Sequence, residues 1–97
     1  SLRNESAAPV RVLALRKRYE PAPGLAVPEP ILSHQDAIPL TNHTGMEGRG
    51  FQFLLPYGDL RFDFEMNLMW FKPGTCFPDV ETHVMEHGLY MLVGQGL

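Results

Sequence analysis

Ninety-seven residues, 44% hydrophobic and 20% charged, suffice for one small globular domain and exclude a disordered or fibrous chain. A net charge of −3 gives no electrostatic basis for nucleic-acid binding, and no apolar run approaches the roughly 20 residues of a membrane span. Cys76 is the only cysteine, which excludes an internal disulfide and, with no signal peptide in view, points to a reducing, cytoplasmic setting.

Residues 10–15 (VRVLAL) read as a short apolar strand that runs into a polar end at 16–19, where Arg16-Lys17-Arg18 is a solvated strand end rather than a phosphate patch. Pro21, Pro23 and Gly24 stop it. From there to Gly50 no period is sustained, because Pro28, Pro30, Pro39, Gly45 and Gly48 interrupt every pattern. Such a stretch reads as an extended segment crossing between domains, since a loop that long inside one compact domain is uncommon. Its two histidines, His34 and His43, lack ligand-type neighbours at useful spacing and are expected to be surface or packing residues.

The pattern changes after Gly50. Residues 51–55 read as a strand and 56–59 as a turn. Residues 62–71 (FDFEMNLMWF) then alternate, with Phe62, Phe64, Met66, Leu68 and Trp70 on one side and Asp63, Glu65 and Asn67 on the other. A period of two predicts a half-buried strand. Lys72-Pro73-Gly74-Thr75 is a turn, and 80–85 and 89–93 are two further strands around Gly88. No helical period lasts three turns. The expected class is all-β, a sandwich or barrel of short antiparallel strands. Residues 89–93 form an apolar edge close to the last residue, residues 10–15 lack a local partner, and the chain opens on Ser1. It is therefore expected to be an incomplete piece, aggregation-prone and inactive on its own.

The chemistry concentrates in E-T-H-V-M-E-H, residues 81–87. On a strand, Glu81 and His83 leave the same face about 7 Å apart, so a carboxylate oxygen and an imidazole nitrogen can converge on one ion about 2.1 Å from each. His87 has the same parity and reaches that ion if the chain turns near 86–88, as Gly88 permits. Two histidines and a carboxylate suit a divalent first-row metal. The same letters also match H-x-x-E-H, a zinc-peptidase pattern that needs a long helix, which Pro78, Gly88 and the flanking strands disfavour. A third reading treats them as ordinary polar residues on an exposed strand.

The wider frame resembles a known motif. Gly74, Glu81, His83, His87 and Gly94 follow the first cupin motif, G-x5-H-x-H-x3-4-E-x6-G, with one extra residue in the first gap and with Glu and His exchanged at the outer ligand places. In the context W-F-K-P-G-T and E-T-H-V-M-E-H-G-L-Y-M-L-V-G-Q-G, this exchange resembles the C-terminal half of the (S)-ureidoglycine aminohydrolase family, whose members are two-cupin, manganese-dependent enzymes of allantoin breakdown. L-R-K-R-Y-E-P at 15–21 is similar to the segment closing that family's first cupin. Residues 51–56 and 64–67 are similar to the opening strands of its second.

The resemblance implies a cupin double-stranded β-helix, present as part of a bicupin. Residues 1–23 would be closing strands of an N-terminal cupin, 24–49 the crossing segment, and 50–97 the first half of the C-terminal metal-binding cupin. It implies Glu81, His83 and His87 as ligands of Mn²⁺ or another divalent metal, with Glu81 also the catalytic residue. The family's fourth ligand, a glutamine, falls beyond residue 97 and is not Gln95. Glu86 is expected outside the ligand set, and Thr82 and Tyr90 in packing or supporting roles. The implied reaction is hydrolytic deamination of (S)-ureidoglycine to (S)-ureidoglycolate and ammonia by a homo-oligomer, with a small ureido carboxylate as substrate and no nucleic-acid or membrane partner. The alternatives are another metal-dependent cupin acting on a small carboxylate, and a non-catalytic cupin whose metal stabilises the barrel.

Overall fold

A computed structural model of the chain describes residues 3–78 and 80–96. Its organising element is strand β1, Arg49–Phe53, which pairs antiparallel with β2, Asn67–Phe71. Arg49 stands opposite Phe71, Phe51 opposite Met69 and Phe53 opposite Asn67. Backbone bonds from Lys72 N to Gly48 O (2.9 Å) and from Leu54 N to Met66 O (2.8 Å) extend the ladder one pair beyond each end. The other edge of β1 is taken by Thr41, which exchanges two backbone bonds with Phe51 at 2.8 and 2.7 Å. With a neighbour on both sides, the first four residues of β1 are buried. Phe51 is the one buried large hydrophobic residue among those described.

Pleating divides the sheet into two faces. On one face Phe51 and Phe53 stack in parallel with centroids 6.1 Å apart. His43 meets both edge-on, and Tyr57 closes on Phe53 at 4.7 Å. On the other face Gln52 is the centre. Its Nε2 donates to the carbonyls of Gln35 (3.1 Å) and Ile38 (2.7 Å), while its Oε1 accepts from Gln35 Nε2 and Trp70 Nε1, both at 3.2 Å. One buried amide thereby holds the 3-10 turn Gln35–Ala37 against the hairpin. At Gly50, on the same face as Gln52, the chain passes close to Leu40: an added Cβ would lie 2.8 Å from Leu40 Cδ1. The segment that the Pro and Gly pattern reads as a crossing stretch is thus pinned to the hairpin from Gln35 to Thr41.

The second strand is shorter than its alternation predicts. Residues 62–64 bend instead of pairing, for local reasons. Asp59 grips Arg61, with Nη2 to Oδ2 at 2.6 Å, and Phe62 N donates to Asp59 O. Asp63 turns its carboxylate to Lys17 Nζ (2.9 Å) and Glu20 N (2.8 Å). Tyr19 Oη adds a bond to Arg61 O. This cluster ties residues 17–20 to the loop at 59–63, so Lys17 has a defined partner and the basic run is not wholly a solvated end.

The remaining expected strands, 10–15, 80–85 and 89–93, form no ladder among the described residues. Their apolar side chains stand in solvent, Leu13 at 68% exposure and Val93 at 86%. The molecule exposes 9285 Å² with a radius of gyration of 16.0 Å. A compact protein of this mass exposes about 5,600 Å², and one of this length has a radius near 12.5 Å. An all-β character with one small antiparallel sheet is therefore what the structure shows.

Candidate metal centre

Glu81, His83 and His87 come together. One donor atom from each lies within 4.8 Å of the other two, and all three side chains are exposed. The imidazoles of His83 and His87 face one another with centroids 4.3 Å apart and planes inclined at 41°. The chain bends at Val84 and Met85, two residues earlier than the 86–88 expected from Gly88. That bend folds His87 back onto His83, and Glu81 reaches the pair from two residues upstream. No helix forms here, which removes the zinc-peptidase reading.

The donor set is chemically suited to a divalent ion. Ligands about 2.1 Å from a common centre lie roughly 3 to 4 Å apart, so small rotations of the exposed side chains bring this set to binding distance. One anionic oxygen and two imidazole nitrogens match borderline divalent metals such as Mn²⁺ and Zn²⁺. Glu86 lies outside the converging set. Tyr90 is half exposed.

The other histidines behave as their surroundings predict. His34 caps the 3-10 turn, its Nδ1 accepting from Asp36 N at 3.3 Å. His43 packs among Phe51, Phe53 and Tyr57, 4.6 Å from the last. Two open hollows of about 270 and 260 Å³ lie elsewhere, both lined by Ile31, Ser33, Ile38, Leu54 and Leu55. Neither includes a charged group, and the converging donors mark the better candidate site. The Gln52 network was not anticipated. Its signal was a long polar amide between two phenylalanines in F-Q-F, at a strand position that burial would normally reserve for an apolar residue.

Two curated proteins are similar to the chain over most of its length. It is 33% identical over 94 residues to the (S)-ureidoglycine aminohydrolase of Escherichia coli (strain K12), a match covering 97% of this chain and 35% of that protein. It is 34% identical over 86 residues to the probable (S)-ureidoglycine aminohydrolase of Oryza sativa subsp. japonica, covering 89% of this chain and 27% of that protein. The resemblance drawn from the motif residues thus holds across nearly the whole chain, which spans about a third of the length of these relatives. No protein-family model and no solved structure matches.

Proposed function

We propose that the chain is part of a metal-dependent aminohydrolase that converts (S)-ureidoglycine to (S)-ureidoglycolate and ammonia. The reading is carried by the convergence of Glu81, His83 and His87 within a segment similar to proteins of that name. In it, residues 1–23 close one cupin barrel, 24–49 cross over, and 50–97 open a second barrel that holds the metal. The reading also carries a cytoplasmic, homo-oligomeric enzyme acting on a small ureido carboxylate.

Glu81, His83 and His87 are the residues that would hold the ion. A divalent metal there, Mn²⁺ in the first instance, supplies Lewis acidity and a template for a chelating substrate. With one carboxylate and two imidazoles, Glu81 would bring the one negative charge of the set, so a divalent ion held there would keep net positive charge to attract an anionic substrate. The net reaction adds water across the C–N bond and expels ammonia. A proton must therefore pass from the water to the departing amine, and the carboxylate of Glu81 is the group of this set able to accept and return it.

Full-length protein loaded with Mn²⁺ is expected to release ammonia from (S)-ureidoglycine in a stereochemically controlled assay, and His83→Ala to abolish that release. Normal metal content with no turnover by the unmodified protein would sink this reading and leave a non-catalytic metal site.

A further inference from the structure

We propose that Arg49 is a carboxylate receptor, taking one planar carboxylate on the edge formed by its Nε and Nη2 in two parallel hydrogen bonds. Arg49 opens β1 opposite Phe71, so both side chains stand on the same face of the sheet. Phe77 lies over the guanidinium with its ring centre 4.9 Å from Cζ, and it meets Phe71 edge-on at 5.2 Å. Two aromatic rings wall the group, and the residue keeps 7% of its exposure.

A guanidinium does not shed its proton in a protein, so this charge stays inside and needs compensation. The ring of Phe77 offsets part of the charge but accepts no hydrogen bond from the in-plane N–H groups. Nε and Nη2 are both buried, and neither has an acceptor among the described residues. These two nitrogens form one side of the guanidinium, and their N–H groups run parallel in the spacing that a carboxylate fits. Asp59 and Asp63 are engaged elsewhere, by Arg61 and Lys17. Two coplanar donors between flat aromatic walls suit a planar carboxylate better than a tetrahedral phosphate, which draws on donors from several directions. Phe77 is itself 44% exposed, on a stretch without regular structure, so its ring can swing to admit the group. The carboxylate has two possible sources, a free small carboxylate or an acidic side chain of the protein.

The test follows the Arg49 Nε–H signal by NMR in the full-length protein, assigned through bonds from its backbone amide, during titration with sodium acetate and, at matched ionic strength, sodium chloride. It measures no turnover and so stands apart from the metal-site reading. With a free carboxylate as source, acetate shifts the signal saturably while chloride does not, and Arg49→Lys weakens the response about tenfold. Arg49→Met, which fills the space without charge, abolishes the acetate response. With a side chain as source, the signal is already downfield, slow to exchange and indifferent to acetate. Either pattern upholds a carboxylate on that edge. A free-arginine shift with fast exchange and no response to acetate overturns the proposal, as does an equal response to chloride.

Discussion

Lys17 and Asp63 are 46 residues apart in sequence and joined at 2.9 Å, so a charge pair brings the early part of the chain onto the loop before β2. Asp63 sits below the ordinary carboxylate range, chiefly because the Glu20 N–H donates to it and secondly because Lys17 does. Asp59 is lowered in the same way by the side chain and backbone of Arg61. A group whose folded value is depressed contributes stability above its unfolded value and loses it as pH falls through the folded one. The docking of residues 17–20 is therefore expected to be at full strength above roughly pH 4 and to be lost progressively as pH falls further, through the depressed value of Asp63. The Glu20 amide chemical shift, followed by NMR from pH 6 to pH 2, should report that release. Asp63→Asn should abolish the transition, and an unchanged titration in that variant would disprove the assignment.

Gln52 makes four hydrogen bonds from a buried position. Gln52→Leu keeps the volume but removes all four bonds, leaving the half-exposed Trp70 indole N–H and the Ile38 carbonyl to water while the Gln35 carbonyl keeps the Ile38 N–H. The expected loss is about 1 kcal/mol, the net contribution of an ordinary hydrogen bond between groups that water can reach. Urea unfolding of the full-length protein, followed by backbone circular dichroism, checks this. A midpoint equal to that of the unmodified protein would show that the network contributes nothing.

Gly50 accepts a methyl only if Leu40 moves aside. Gly50→Ala places its Cβ 2.8 Å from Cδ1 of Leu40, the tip of a side chain that is 62% exposed and free to turn, so the expected cost is about 1 kcal/mol or less. Leu40→Ala in the same molecule should recover part of that loss, because it clears the obstructing atoms. Additive losses in the double variant would place the cause somewhere other than this contact.

Metal affinity should discriminate among the four ionisable residues of 81–87. His83→Ala, His87→Ala and Glu81→Gln are each expected to weaken Mn²⁺ binding at least tenfold by isothermal titration, while Glu86→Gln changes it less than twofold, the threshold being that seen when groups supporting a ligand are lost. Equal losses at all four would mean a diffuse acidic surface rather than a defined centre. Zn²⁺ is expected to bind more tightly than Mn²⁺ to the same residues.

The legible parts of this molecule were those with local causes. E-x-H-x-x-x-H revealed its convergence because parity and a nearby bend suffice to place three donors, although the bend falls at Val84 and Met85. Residues 51–55 read as a strand, and β1 lies two residues earlier because its ladder also uses Arg49 and Gly50. The alternation of 62–71 overstated β2, since Asp63 finds better partners in Lys17 and the Glu20 amide than a strand position offers. Distance in sequence hid that competition. It equally hid the anchoring of Gln35 by Gln52, which makes a Pro-interrupted stretch part of the hairpin's packing.

The pairing of Thr41 with Phe51 sets an order of assembly. Its loop is ten residues long, and closure on that scale takes about 10–100 ns, far faster than the 46-residue span from Lys17 to Asp63. The sheet can thus nucleate from its middle outward, with β1 meeting Thr41 and then β2 before the early segment docks. The stretch bearing Glu81, His83 and His87 makes no ladder contact among the described residues and is expected to join late. Disrupting the Thr41 pairing, as in Thr41→Pro, should slow refolding in stopped-flow measurements, whereas alanine at 83 or 87 should leave the refolding rate untouched. Selection on the metal donors would then be free of any folding constraint, and chemistry could change there without endangering the frame that carries it.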